Sequence, residues 1–324
     1  MHHRVVKAAS HHARIVKDGA PSDRFGTGRL EVRNVVVTAL RTTLGRRDVN
    51  LTPEFMGFGN HLYLWVWAHS RRDDRVRPKV LATERMRYWA ALTPRFAARF
   101  VIESSEIRPT DRRGSYWAYP GSHSPDPRGF TDEQRSEFIR EALLPEPLLD
   151  GVGQGELATD QCLVVNVRRG DYYSTENVRQ YGFDVATYVR AAVERSVAED
   201  GALRRIHVVS DDLAWCRRRM SWLATFADEV SYPPPDADPA SHFRDVASAR
   251  RIVMTNSTFS LWAAAVSNEV HRDNASAIWA PAFFQSVYGS GRCHEYDQHW
   301  SFVDDLPGGW QPGWLVGGRD GPDE

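Results

Sequence analysis

The chain has 324 residues and a formal net charge of −1 at pH 7. This length suffices for one large domain or two medium ones, each with a sizeable core. A charge so close to zero argues against a nucleic-acid-binding protein, because such proteins usually present a strongly basic surface. The three cysteines, Cys162, Cys216 and Cys293, are odd in number and widely spaced, which favours neither a disulfide framework nor a zinc site.

No apolar run in the sequence approaches the ~18–20 residues that a transmembrane helix needs, and no charged-then-apolar leader opens the chain. We therefore expect a cytoplasmic protein without a transmembrane segment. Peripheral contact with the inner face of the membrane stays open.

Residues 1–49 form a basic stretch with ten Lys or Arg against four Asp or Glu, and they include two His-His pairs. This composition predicts a solvated, poorly ordered extension. Metal binding by the histidines and contact with an anionic membrane are the alternatives. One helix is predicted over residues 35–44.

Residues 50–150 are predicted to form an N-terminal domain on the acceptor side, starting with a strand-turn-helix unit. Residues 50–55 are extended in pattern, a glycine turn at residues 57–60 follows, and an apolar, helix-compatible run continues to Ala68. Glycines in such a turn mostly satisfy backbone geometry, so the turn alone is a weak indication of function. Beyond it we expect irregular, basic sequence, and then a helix over residues 131–144 capped by Thr131.

Aromatic side chains crowd this first domain. They suit the apolar faces of sugar rings, but they more often fill a core. The aromatic residues concerned are Tyr88, Trp89, Phe96, Phe100, Tyr116, Trp117 and Tyr119.

A glycine-rich linker at residues 150–155 precedes a C-terminal domain over residues 151–305, and residues 306–324 form a tail. Within this domain short apolar strands alternate with helices, which predicts βαβ units and a parallel sheet whose ligands bind at the carboxyl ends of the strands. The predicted strands cover residues 162–167, 205–210, 229–232, 252–255 and 277–280, and the predicted helices cover residues 184–199, 212–220, 242–249 and 259–267.

Two adjacent arginines, Arg168 and Arg169, end the first of these strands, and Asp171 follows them. Arginine presents a planar fork of permanent positive charge that suits phosphate oxygens, and a nearby aspartate can orient it. The alternative is a surface loop of ion pairs without a ligand.

Two other polar segments are predicted at the same sheet edge: Ser210, Asp211 and Asp212 after one strand, and the hydroxyl-rich turn at residues 256–260 after another. A turn of small hydroxylic residues that opens a helix places backbone N–H groups where an anion can sit. The same turn is also an ordinary helix cap, since Asn, Ser and Thr all favour that position.

Taken together, these segments resemble the α-1,2-fucosyltransferases of glycosyltransferase family 11. The family carries a GxGN turn, an HxRRGDY motif, an SDD segment and an NSTFSxW motif in this order, and the resemblance covers about residues 50–290. In this chain Asn166 replaces the histidine of the second motif, and His61 replaces the glutamine that follows GxGN.

The resemblance implies an α/β fold of the GT-B-like type, with two Rossmann-like halves and the donor in the C-terminal half. It also implies an inverting transfer of L-fucose from GDP-β-L-fucose to a hydroxyl of a glycan or of a glycosylated small molecule. GDP-L-fucose would be a co-substrate, and no metal or other cofactor would be needed. Asp236 and Asp238 match a metal-binding DxD motif in letters, but they lie in a proline-rich stretch that predicts a turn.

The resemblance also assigns roles to residues. Arg168 would stabilise the leaving diphosphate, Arg169 would assist it or anchor the loop, and Asp245 is a candidate for binding guanine. The base is not fixed by any motif, and His61 and Glu54 are candidates. The expected donor-binding set is Gly57, Gly59, Asn60, Asn166, Arg168, Arg169, Asp171, Ser210, Asp211, Asp212, Asp245, Asn256, Ser257, Thr258, Phe259 and Ser260.

Three other interpretations stay open. The donor could be a different GDP-sugar, because contacts to phosphate and guanine say little about the hexose. The chain could be a non-catalytic sugar or nucleotide binder, which Asn166 favours. It could also be a phosphate-binding regulatory protein.

Overall fold

The computed structural model describes residues 46–72, 76–115, 130–286 and 295–316. Residues 47–324 group into one compact unit. The helix predicted over residues 35–44 lies outside the described residues, as do Tyr116, Trp117, Tyr119 and Cys293.

The first sheet has four strands in the order β3-β2-β1-β4, and β1 pairs with β4 and β2 with β3 in parallel. The strands are β1 (Arg46–Leu51), β2 (Val76–Leu81), β3 (Val101–Ile102) and β4 (Arg112–Ser115). Three helices accompany them: α1 (Phe58–Ser70), α2 (Glu84–Leu92) and α3 (Pro94–Phe100). The expectation of irregular sequence beyond α1 was therefore wrong. Strand β1 also begins at Arg46, inside the segment expected to be an extension.

Helix α4 (Asp132–Phe138) continues as a π-helical turn (Ile139–Leu143). Thr131 and Gln134 form a capping box, in which each side chain accepts a hydrogen bond from the other residue's backbone N–H. This arrangement satisfies two N–H groups that the helix start would otherwise leave unpaired, and it confirms the predicted cap.

The second sheet has six strands in the order β10-β9-β8-β5-β6-β7, all paired in parallel. The strands are β5 (Cys162–Val167), β6 (Leu203–Ser210), β7 (Ala227–Ser231), β8 (Arg251–Met254), β9 (Ile278–Pro281) and β10 (Ser301–Val303). The helices are α5 (Val178–Tyr181), α6 (Val185–Asp200), α7 (Leu213–Arg219), α8 (Pro239–Ser248), α9 (Thr258–His271) and α10 (Gly313–Val316). The predicted alternation is confirmed, and β10 is an additional strand.

Two hydrophobic cores cover the two faces of the second sheet. Strand β5 is buried along its whole length, and its side chains divide between them: Val164 joins the core with α8 and α9, whereas Leu163 and Val165 join the core with α6 and α7. The first of these cores continues into α1, where the rings of Tyr63 and Trp262 meet edge to face at 5.4 Å. The α/β fold with two parallel sheets is thus confirmed.

No helix in the described parts of the chain is long and apolar enough to cross a membrane.

Candidate functional site

The three polar segments that follow β5, β6 and β8 meet at one edge of the second sheet. Strand β5 lies between β8 and β6, and the register pairs Asn166 with Met254 and Val167 with Ser210. Because all three strands run in the same direction, the residues after each of them share the carboxyl edge, where ligands bind in sheets of this type.

Arg168 is held at this edge by two carboxylates. Its guanidinium lies 2.5 Å from Asp171 Oδ1 and 2.7 Å from Asp211 Oδ2, and its backbone N–H donates to Thr255 Oγ1 at 2.8 Å. The side chain is still 37% exposed. A permanent positive charge is therefore fixed in place while one part of it faces solvent, which suits an anionic ligand.

Arg169 has different neighbours from Arg168. Its Cζ lies 4.0 Å from the ring centroids of both Tyr173 and Trp215, and its Nε lies 3.5 Å from Asp212 Oδ2. Its backbone N–H donates to Asp211 Oδ1 at 2.8 Å, so Asp211 binds both arginines. This environment fits the expected anchoring role of Arg169.

Gly170 was not among the predicted site residues, yet any larger residue there would displace the Asp211 side chain. A β-carbon at this position would lie 2.4 Å from Asp211 Oδ2, which is closer than real β-carbons come. The signal was present in the sequence, because the glycine stands between the arginine pair and Asp171. Thr255, which accepts the hydrogen bond from the Arg168 N–H, was also not among the predicted site residues. The sequence assigned it only to the end of a strand.

The turn at residues 256–260 directs the hydroxyls of Ser257 and Ser260 inward. Ser257 caps α9 by accepting from the Ser260 N–H at 3.0 Å, and the two hydroxyls lie 2.7 Å apart. The Asn256 side chain donates to the carbonyls of Tyr181 and Phe284 at 2.8 and 2.7 Å. The expectation that these hydroxyls face a phosphate is therefore corrected: Ser257 and Ser260 are buried and pair within the protein.

Asn166 is also part of this buried network. Its Nδ2 donates to the Val209 carbonyl at 3.2 Å, and its Oδ1 accepts from the Ser260 hydroxyl. The side chain is only 5% exposed. In this chain the residue at the family's histidine position therefore connects β5 with β6 and with the start of α9.

The glycine turn of the first domain meets this same helix start. A β-carbon on Gly59 would lie 2.4 Å from the carbonyl carbon of Thr258 and 2.6 Å from the Phe259 nitrogen. Gly57 caps α1 in extended backbone and has open space around it, and Asn60 is half-buried. The first and last of the motifs are thus in direct backbone contact.

The two candidate bases differ in accessibility. His61 on α1 is fully buried, and both ring nitrogens lack a hydrogen-bond partner among the described residues. Burial, with a smaller contribution from the Arg85 charge, lowers its pKa to about 4, so the ring is neutral at physiological pH. Glu54 lies exposed in the turn before α1.

Other predicted residues have local structural roles. Asp212 caps α7 by accepting from the Trp215 N–H at 3.0 Å, and its own N–H donates to Ser210 Oγ at 2.9 Å. Asp245 Oδ2 lies 3.3 Å from His207 Nε2, so its carboxylate is already engaged by β6.

The DxD-like segment is a turn that leads into α8. Asp238 caps that helix, and its hydrogen bonds with Ser241 lower the pKa of its carboxyl to about 2. The interpretation of this segment as a turn fits the structure.

Residues 129–287 match the family model described as Glycosyl transferase family 11. Over this segment, 159 of the 324 residues, the chain is similar to that family. The matched segment contains the arginine pair, the 210–212 segment and the 256–260 turn, and it begins after the 57–60 turn. A search of curated proteins found no match.

Among solved structures, the E. coli heptosyltransferase WaaC with ADP is similar over 81% of this chain and 94% of that chain, with 13% identity and a TM-score of 0.39.

The edge of the second sheet supplies Arg168 as a fixed cation. Within the parts of the chain that the structure describes, no group of three His, Cys, Asp or Glu residues could hold a metal ion.

Proposed function

We propose that the protein is an inverting fucosyltransferase. It moves L-fucose from GDP-β-L-fucose to a hydroxyl of a glycan or glycoconjugate, the 2-OH of a galactosyl unit being the position that the family resemblance favours. The observation that carries the proposal is the geometry of Arg168, fixed between Asp171 and Asp211 at the carboxyl edge of the sheet, inside the segment that matches the family.

The chemistry explains why a fixed arginine is useful. When the sugar–phosphate bond breaks, negative charge develops on the β-phosphate while the sugar becomes positively charged. A cation already oriented by Asp171 and Asp211 stabilises the departing diphosphate without reorganising, and it lowers the barrier directly. Arg168 therefore acts on the leaving group, and Arg169 holds the loop through its contacts with Tyr173 and Trp215. Positive charge from arginine would replace a divalent metal.

We assign the base to Glu54 in preference to His61. A base must come within hydrogen-bond reach of the acceptor hydroxyl, and Glu54 is exposed in the turn before α1 whereas His61 is fully buried. Glu54→Gln should then lower kcat by at least about a hundredfold with little change in donor binding. Loss of activity in His61→Asn but not in Glu54→Gln would reverse the assignment.

A non-catalytic GDP-sugar binder of the same fold is the second candidate. Asn166 favours it, because a buried amide that is fully engaged in the protein provides no imidazole at the position where the family has one. Such a protein would bind GDP and GDP-sugars without releasing GDP from them. A transferase for another GDP-sugar would release GDP, but not from GDP-L-fucose.

The test is GDP release from GDP-L-fucose in excess EDTA, with and without β-galactoside acceptors. We expect acceptor-stimulated release that survives chelation and falls by at least about a hundredfold in Arg168→Ala. Arg204→Ala is the matched control, because Arg204 is an exposed arginine near the opposite end of β6. Near-normal turnover in Arg168→Ala, or dependence on a divalent ion, would contradict the mechanism.

A further inference from the structure

A pocket opens beside Arg169, at the carboxyl edge of the sheet and next to α6, α7 and α10. It has a volume of about 500 Å³, and Arg168 is not among its lining residues. We call it the arginine pocket, because four of its lining residues are Arg169, Arg190, Arg218 and Arg219. Arg168 and Arg169 are neighbours in the sequence, but Arg168 belongs to the proposed donor site and Arg169 lines this pocket.

Aromatic rings hold two of these arginines by their faces. Arg169 lies between Tyr173 and Trp215, and the Arg190 Cζ lies 4.5 Å from the centroid of Trp222. A guanidinium that stacks on a ring keeps its N–H groups directed sideways, in the plane where they match the oxygens of a phosphate. Stacking also limits the number of side-chain conformations that a ligand would have to restrict.

The lining of the pocket is rich in arginine, although the chain as a whole has a net charge of −1. Asp184 is the one acidic residue in its lining, and that carboxylate already caps α6 through the Thr187 N–H at 3.2 Å and the Thr187 hydroxyl at 2.7 Å. Four arginines thus share a lining with one carboxylate, and Asp212, which is not part of the lining, lies 3.5 Å from Arg169. Such a concentration of like charge favours an anionic ligand.

We propose that the arginine pocket binds a phosphate-bearing organic ligand, at a site separate from the donor site. The volume falls within the range of about 300–1,000 Å³ that is usual for small-molecule sites, which leaves room for an organic body beside the phosphate. Trp222 and Trp314 supply apolar lining for that body. The proposal does not depend on fucosyl transfer, because it rests on the lining of this pocket alone.

Isothermal titration calorimetry of the full chain tests the proposal, with glucose 6-phosphate as the probe, glucose as the uncharged comparison, and GDP present in excess to fill the proposed donor site. We expect glucose 6-phosphate to bind and glucose not to bind. Arg190→Ala and Arg218→Ala should each weaken binding by about tenfold or more, because each removes a charge-assisted contact.

Arg217→Ala is the matched control. It removes the same charge from the same helix, but Arg217 stacks on Tyr232 at 4.3 Å and is not part of the pocket lining. The affinity of Arg217→Ala for glucose 6-phosphate should stay within about twofold of that of the parent protein, because Arg217 is at most a charge on the rim of the pocket. Thermal unfolding of each variant checks the fold, and Arg218→Lys should keep more affinity than Arg218→Ala.

Absence of binding, equal binding of glucose, or equal losses in Arg217→Ala and Arg218→Ala would overturn the proposal. Complete competition by GDP would also overturn it, since the pocket would then be part of the donor site. If GDP itself does not bind, the fucosyltransferase proposal fails. The comparison of Arg217→Ala with Arg218→Ala still tests whether the arginine pocket binds glucose 6-phosphate.

Discussion

Gly59 and Thr258 lie in backbone contact, so close that a β-carbon on Gly59 would be 2.4 Å from the Thr258 carbonyl carbon. This contact joins the start of α1 to the start of α9. It explains the second glycine of the 57–60 turn, since Gly57 has nothing within 4 Å of the corresponding position. The two glycines of one short motif therefore have different reasons to be glycine.

Gly59→Ala should destabilise the protein by about 1–3 kcal/mol or more, because the added methyl group must displace backbone rather than a flexible side chain. For a chain of this size that corresponds to a loss of several degrees in Tm. Thermal unfolding measures the effect. Gly57→Ala is the comparison and should cost less than about 1 kcal/mol. Equal Tm values for Gly59→Ala and the parent would show that the helix starts are not in contact.

Gly170→Ala should impair donor binding more than folding. The new methyl group would meet Asp211 Oδ2 at 2.4 Å, and this carboxylate would have to release Arg168. Because Arg168 would lose one of its two orienting partners, we expect KM for the donor to rise by about tenfold, with a change in Tm of a few degrees at most. Steady-state kinetics and thermal unfolding separate these effects, and an unchanged KM would argue against the role of Asp211.

Asn166→Ala should cost about 2–4 kcal/mol, because it removes a buried donor to the Val209 carbonyl and leaves the Ser260 hydroxyl paired with Ser257 alone. Asn166→His should cost less, since a neutral imidazole has one donor and one acceptor nitrogen and can serve both groups. Urea unfolding of the two variants provides the comparison. A larger loss in the histidine variant would mean that the space around β5 admits only the smaller amide.

His61 should make the protein sensitive to acid. Its pKa is about 4 in the folded protein against 6.5 for an ordinary histidine, so between these values the unfolded chain binds a proton that the folded protein does not. Stability from this group is therefore complete above about pH 6.5 and decreases as the pH falls towards 4, by about 3 kcal/mol in total. His69 shifts in the same direction, also to about 4.

Urea unfolding between pH 7.5 and pH 4.5 tests this dependence. His61→Phe should lose less stability over that range than the parent, because one of the two histidines with a lowered pKa is gone. The same pH dependence in both proteins would contradict the assignment of acid sensitivity to His61.

The second sheet was predictable and the first was not, for a physical reason. Strands β5 and β8 are buried on both faces and read as short apolar runs, which is what parallel sheets require. Strand β1 instead buries polar side chains, including Arg47, Asp48 and Asn50. Arg47 is paired with Asp111 at 3.0 Å, a contact between residues far apart in the sequence that hydropathy does not reveal.

For the candidate site, the sequence predicted where the polar segments lie but not the direction of their side chains. Strand order and direction place the three polar segments at one edge, so the alternation of strands and helices was enough to bring them together. The direction of each side chain was not predictable, because it depends on contacts across the fold. Asp211 binding both arginines, Ser260 turning towards Asn166, and Gly59 meeting Thr258 all arise from the packing of separate elements.

The hydrophobic core that contains α1 also contains α8 and α9. On the face of the second sheet that α8 and α9 cover, the two sheets therefore share one apolar core. The N-terminal half shares its apolar core with α8 and α9, and a chain cut in the 150–155 linker would expose large aromatic surfaces such as Tyr63 and Trp262. We expect the two sheets to melt in a single cooperative transition. The halves of this protein are separate in topology but form one thermodynamic unit.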